Sequence, residues 1–358
     1  MKKILFAGTA LTVAMIFSGP AAAGALELGV GGFTEQWVGH ADNDRLDGEA
    51  DVDLQSDTEI HFTGSSDLDN GLTVRARIEI EQATGGDARF DEASVGVESG
   101  FGAIYFGQDD NASEKLAHAA PEVGIGNQDG DFANWVLQPD EVYSFGATYS
   151  TVDGDAEKIT YFTPSFRGFQ AGVSYTPNID ETTVAGTTIA SEGNDAVTVA
   201  LSYDGNLNGI DLGADVAYFR PEDLSAGLAS ENNKLEIYRA GATLGYRNFT
   251  IGASIAEIEE DELAGATTSM DGRVWDIGVA YETGPIAFSL NYFETKHKAD
   301  LANSRKDEVR SVMASASYSI APGIAAKATV QHAEFEDEGG DATSNDGWAV
   351  VSGLAINF

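Results

Sequence analysis

The sequence predicts an all-β chain: a closed antiparallel transmembrane β-barrel of about sixteen strands, with one long loop folded into its lumen. Three observations carry that prediction. Apolar and polar residues alternate with period two in segment after segment. The segments are joined alternately by tight turns and long polar loops, the connection pattern of an up-and-down membrane barrel. No stretch after the N-terminus approaches 18 consecutive apolar residues, so a membrane helix is not expected.

The first residues are a separate object. Met1-Lys2-Lys3 is basic, Ile4 to Phe17 is apolar, and Ala21-Ala22-Ala23 is a small-residue cleavage site. Residues 1–23 are expected to be a secretory signal peptide, leaving residues 24–358 as the barrel.

The strand signals follow in order. Ala25–Val38 is the first, and Val52–Leu68 returns to the turn Asp69-Asn70-Gly71. Leu72–Gln82 alternates cleanly: Leu72, Val74, Ala76, Ile78 and Ile80 share one face, and Arg75, Arg77, Glu79 and Glu81 lie on the other. Phe90–Glu98 and Ala103–Gly107 complete the first group. After a long interruption come Lys158–Thr163, Phe169–Thr176, Val197–Tyr203, Ile210–Phe219, Lys234–Tyr246 and Phe249–Glu257. Asp271–Glu282, Pro285–Glu294, Val309–Ile320, Ile324–Glu334 and Asp346–Phe358 finish the chain.

The faces agree with a lipid-exposed wall. Along Ile210–Tyr218 the apolar residues would meet lipid, while Asp211, Gly213 and Asp215 face inward. Tyrosines and tryptophans fall at strand ends, among them Tyr203, Tyr218, Tyr238, Tyr246, Trp275, Tyr281, Tyr292 and Tyr318. Tyr238 and Tyr246 share a face roughly 20 Å apart, close to the ~25 Å band between aromatic girdles. Lipid cannot satisfy an open strand edge, so the sheet must close on itself. At sixteen strands the interior is too wide for wall side chains to fill. The inner faces read as too polar to form a buried core.

The interruption from Gln108 to Glu157 is the longest connection, and loops of that length inside a compact fold are usually functional or disordered. It carries Asp109, Asp110, Glu114, Glu122, Asp129, Asp131, Asp140 and Glu141 against a single lysine, Lys115. Phe132, Trp135, Val136 and Leu137 give it something to pack with.

Composition narrows the function. The chain has 358 residues, with 20 Lys and Arg against 58 Asp and Glu, a formal net charge of -38. So negative a chain is unsuited to nucleic acid, whose phosphates demand Lys and Arg. It suits a protein that handles cations. There are no cysteines, so disulfides and thiol chemistry are excluded. No G-x-S-x-G elbow, H-E-x-x-H or P-loop occurs, and the five histidines are scattered, so no enzyme is expected. No cofactor is expected either. Ca²⁺ is the one ion the acidic loops could take, with Asp129 and Asp131 in Asn127-Gln128-Asp129-Gly130-Asp131 as candidates, although the cluster misses the D-x-D-x-D-G spacing.

Four segments resemble the general Gram-negative porins of the alphaproteobacterial type. They are Leu26-Glu27-Leu28-Gly29 after the leader; Phe101-Gly102-Ala103-Ile104-Tyr105-Phe106-Gly107-Gln108; Lys158 to Pro164 with Gly168 to Tyr175; and the C-terminal Gly353-Leu354-Ala355-Ile356-Asn357-Phe358. The resemblance covers the whole chain after residue 23. It implies a homotrimer in the cell outer membrane, in contact with the lipid bilayer and lipopolysaccharide, passing ions and small hydrophilic solutes by passive diffusion. It also implies that Gly353, Ile356 and Phe358 are read by the barrel assembly machinery. In such channels a basic wall faces an acidic constriction loop. Here the resemblance would set Arg75 and Arg77 against Asp109, Asp110, Glu114, Asp129 and Asp131, with Glu59, His61, Arg239 and Lys327 also in the pore lumen; the alternative is that Arg75 and Arg77 only pair with Glu79 and Glu81 across the lumen wall. Two inward arginines are few for the family, which favours cations over anions. A solute-specific channel or a surface adhesin barrel is the alternative.

Overall fold

The computed structural model describes residues 26–44, 52–83, 89–149, 152–179, 194–221, 235–260, 269–340 and 343–358. The expected signal peptide, residues 1–23, lies outside them. Among the described residues there are sixteen strands and one short α-helix. The strands are β1 Glu27–Asn43, β2 Val52–Asp67, β3 Thr73–Ala83, β4 Arg89–Ser99, β5 Gly102–Gln108 and β6 Glu157–Phe162. Next come β7 Phe169–Asn178, β8 Asn194–Leu207, β9 Ile210–Arg220, β10 Leu235–Tyr246 and β11 Phe249–Glu260. The last are β12 Gly272–Thr283, β13 Ile286–His297, β14 Asp307–Ala321, β15 Ile324–Glu336 and β16 Asn345–Asn357.

Each strand pairs antiparallel with its sequence neighbours, and β1 closes the ring by pairing with β16 from Phe33↔Asn357 to Asn43↔Gly347. No edge is left, as a sheet bathed in lipid requires. Strand identities and the period-two faces are as expected; boundaries differ by a few residues, most at the ends beside the longer loops. The reverse turns at the other end use left-handed residues. Asn208 and Gly209, at φ 53° and 87°, join β8 to β9 in the conformation that matches the twist of a tight hairpin.

The outer face is apolar. Ile251 and Ile255 on β11, Phe288 and Leu290 on β13 and Val350 on β16 are all exposed there. Aromatic pairs mark the two rims of this band: Phe169 with Tyr203 and Phe249 with Tyr281 at the turn end, Tyr218 with Tyr238 and Trp275 with Tyr292 at the loop end.

The inner face departs from the expected polar wall. Near the loop end Phe219, Ile237, Ile258, Val274, Phe293, Val309 and Phe335 point inward and are buried. They form one cluster with Phe132, Trp135, Val136, Val142 and Phe145 of the long loop. The physical reason is that the loop brings its own apolar side chains into the barrel. Strands there are apolar on both faces, one toward lipid and one toward the loop.

Candidate functional site

The long loop occupies residues 109–156, between the last residue of β5 and the first of β6. Its root is tied before it crosses the barrel. Asn111 caps a single helical turn, α1 Ala112–Lys115, its side chain accepting from the Ser113 and Glu114 amides at 2.8 and 3.4 Å. The same side chain donates to buried Asp153 at 2.7 Å, and Thr176 on β7 donates to Asp153 at 2.8 Å. Burial pushes the Asp153 carboxyl up, against the pull of Lys158 and these hydrogen bonds. Lys158 Nζ donates to the carbonyls of Asp109 and Gly154. The two ends of the loop are thereby held together on the β6–β7 wall.

From there the backbone runs along the inward faces of successive strands. The His118 amide donates to Asp215 of β9 at 2.7 Å, and Arg239 of β10 donates to the His118 carbonyl at 2.8 Å. The Ala120 amide reaches Asp276 of β12 at 3.3 Å, and Asn291 of β13 donates to the Pro121 carbonyl at 2.6 Å. The Val123 and Ile125 amides reach Ser289 and Thr329, of β13 and β15, at 3.3 and 3.2 Å. A loop without regular structure must find partners for its buried amides, and the wall supplies them. Gly241 is where the fit is closest: a Cβ there would collide with the His118 carbonyl oxygen.

Further on the contacts turn apolar. In the 3₁₀ turn Gln128–Ala133, Phe132 stacks on Phe293 with centroids 5.0 Å apart. Trp135 lies against Gly39, and Gln55 of β2 donates to the Asn134 carbonyl at 2.7 Å. Leu137 and Tyr143 donate their amides to Asn43 and Asp307 at 2.9 and 2.7 Å. The loop thus lies inside the barrel, sealed to β9–β16 and reaching across to β1 and β2.

The charged side chains gather on the other wall, β2 to β5. The expected confrontation of basic wall and acidic loop is not the pairing they adopt. Arg75 Nε meets Glu98 at 2.8 Å, and Arg77 pairs with Glu79 on its own strand, with Glu92 at 3.9 Å. His61 lies 2.7 Å from Glu59 and 3.4 Å from Glu79. Glu81 stands beside Asp91, Asp57 and Glu59. The wall carries its own acids, so its arginines are neutralised before they reach the loop.

The loop acids are likewise answered locally. Lys115 Nζ lies 2.5 Å from Asp109 and 3.2 Å from Asp110. Burial would lower the Lys115 ammonium, but Asp110, Asp109 and Glu92 outweigh it and hold it above the usual lysine range. Asp155, buried beside Asp110, Asp91 and Glu92, is pushed up to about 7.

Arg75, Arg77 and Asp109 line one cavity of about 440 Å³ with Lys115, Tyr105 and Ser94. Asp110 adjoins it through Lys115. Glu114 sits on α1 beside Lys115 and is not among the residues that line this cavity. Asp131 accepts from Asn134 at 2.9 Å, and the side chain of Asp129 lies outside the described residues. Asp131 is not in the groups of described side chains that could share a metal ion, which are Glu59, His61 and Glu79 and, separately, Glu92, Asp109 and Asp110. Glu59 and His61 face inward as expected. Arg239 does not serve as a lumen positive: it is buried under the loop, paired with Asp215. The loop covers it, which its strand parity could not reveal. Lys327 pairs with Glu35 at 2.6 Å. Gly353 lies against the Trp37 ring, and Phe358 exchanges both backbone hydrogen bonds with Gly32.

Strand parity turns Asp215 inward, but patterning does not mark it, Asp276 or Asp153 as an anchor for the loop. A signal existed for Asp276: it is an aspartate between Trp275 and Ile277, where alternation turns it inward with no partner on its own strand.

A closed sixteen-stranded barrel with an apolar outside and charged groups inside is the architecture of a membrane channel. Residues 10–338 match the family model of the Gram-negative porins, and the chain belongs to that family; family and fold place it in the outer membrane. An uncharacterised protein of Rickettsia felis is 24% identical over 74% of each chain. The fold is like that of OmpT from Vibrio cholerae in its trimer form, with TM-score 0.65 and 12% identity over 93% of this chain and 100% of that one. It is also like an anion-selective porin from Comamonas acidovorans, with TM-score 0.63 and 16% identity over 93% and 100% of the two chains. At these identities the likeness is one of fold.

Proposed function

We propose that this porin is a general diffusion channel that prefers cations, and that the long loop forces solutes past the charged wall of β2–β5. The observation that carries the reading is the acid excess along that wall and the loop root. Asp57, Glu59, Glu79, Glu81, Glu92, Asp109 and Asp110 stand against Arg75, Arg77, Lys115 and His61. Charge lining a narrow passage sets ion preference. Distant surface loops matter less, because the screening length is ~10 Å at 0.1 M salt. Asp129 and Asp131, Glu114 and Lys327 are secondary contributors in this reading. The trimeric form of a fold neighbour supports a homotrimer. Export by the 1–23 leader and recognition of Phe358 by the assembly machinery complete the proposal.

Reversal potentials of the protein in planar bilayers, under a KCl gradient, test it. Wild type should favour K⁺, and the preference should fade toward ~1 M salt, where the screening length is ~3 Å. Glu59→Gln with Glu81→Gln should weaken the preference. An anion-selective wild type would overturn the reading.

A further inference from the structure

The two metal-competent groups of side chains inside the barrel differ in what already neutralises them. Glu92, Asp109 and Asp110 have the Lys115 ammonium among them, so the protein supplies that cation itself. Glu59, His61 and Glu79 hold an imidazole, which is a metal ligand, and the cation beside them, the Arg77 guanidinium, pairs with the outer oxygen of Glu79 and leaves Oε2 to face the imidazole.

We propose that Glu59, His61 and Glu79 form a binding site for a divalent transition-metal ion of the zinc class in the lumen wall. Sheet geometry puts the three together. His61 and Glu79 are directly opposite across β2 and β3, and Glu59 is two residues from His61 on the same inward face. His61 and Glu79 are 5% and 3% exposed, so both are held by surrounding structure and not swinging in water. One ring nitrogen, Nε2, is directed at both carboxylates, 2.7 Å from Glu59 Oε2 and 3.4 Å from Glu79 Oε2. A single N–H can serve one of them well. A metal ion in place of that proton serves both.

The distances suit zinc. In a tetrahedral site, bonds of about 2.0–2.2 Å set neighbouring donor atoms about 3.4 Å apart. The Glu79 separation is at that value, and the Glu59 side chain, which is less buried, must retreat by about 0.7 Å. The other oxygen of Glu79 has an independent restraint. Oε1 is buried and ion-paired with the Arg77 guanidinium, which leaves Oε2 for the imidazole side. Water or a chloride ion would complete the shell as the fourth ligand. Glu81, opposite Glu59, adds negative potential. An imidazole donor with two carboxylates favours zinc, nickel or copper over calcium and magnesium, which take oxygen alone.

A bound divalent ion would place positive charge on the wall that cations are proposed to pass, so its presence should lower cation conductance. The site itself needs only that β2 and β3 face the lumen, and it survives failure of the selectivity reading.

The test is equilibrium dialysis of purified, detergent-solubilised barrel against ZnCl₂, with conductance measured in parallel. Wild type is expected to hold one zinc ion per chain that a large excess of Ca²⁺ does not displace. His61→Gln and Glu59→Gln, each checked for assembled barrel by heat-modifiable migration, should weaken that binding by about tenfold or more. Zinc should reduce wild-type conductance and leave His61→Gln conductance unchanged. No uptake below about 1 mM zinc would overturn the proposal. So would equal binding by wild type and both variants, which would assign the zinc to acidic loops.

Discussion

The walls β2–β5 and β9–β15 belong to one continuous sheet with one alternating pattern, yet their inward faces do opposite things. On β9–β15 the inward polar groups, Asp215, Arg239, Asp276 and Asn291, each hold a backbone group of the loop, and the apolar ones pack on Phe132 and its neighbours. On β2–β5 the inward groups pair with one another, as Arg75 does with Glu98 and His61 with Glu59 and Glu79, and Arg75 and Arg77 line an open cavity. A buried polar group must be satisfied by protein, whereas a charge beside water need not be. The same residue types therefore stabilise structure on one wall and are left to act on solutes on the other.

Removing an anchor on the sealed wall should have the largest effect. Arg239→Ala strips the partner from Asp215, which is itself buried, and breaking such a pair costs about 3–5 kcal/mol. The loop should detach there, and single-channel recordings should show larger, noisier conductance. A quiet channel of wild-type size would mean that the loop is held without this pair.

A graded version uses pH. Burial would lower the His118 imidazolium, but Asp215, Asp204 and their hydrogen bonds raise it above the usual range, with the Arg239 guanidinium also close by at the carbonyl of the same residue. The charged form therefore stabilises the docked loop. Its contribution is complete below the unfolded value of about 6.5 and is lost as pH rises through the higher folded value. Limited proteolysis within residues 112–125 should accelerate as pH is raised from about 6 to about 9, and His118→Gln should remove the pH dependence. Identical rates across that range would show that the ring does not hold the segment.

Substitution on the open wall should barely touch stability. The Arg75 side chain is 51% exposed, and such ion pairs contribute ~1 kcal/mol or less. Arg75→Ala should unfold like wild type in denaturant and yet shift the reversal potential toward K⁺. A large loss of stability would erase the contrast between the walls.

The sequence by itself determined the sheet. Period-two alternation, turns such as Asp69-Asn70-Gly71 and the long–short rhythm of connections yield all sixteen strands and bound the loop at Gln108 and Glu157. These signals are local, and strand parity follows directly from them. Closure follows too, because lipid forbids an edge. What only the tertiary structure decided is which inward residue meets which. Arg77 binds Glu79 and not the loop, Arg239 lies under His118, and Phe293 and Phe335 face inward to receive Phe132. Alternation puts Arg77 and Glu79 on one face but does not choose between Glu79 and the loop, and the other two outcomes depend on the path of a segment more than a hundred residues from its partners, about which alternation along a single strand carries no information.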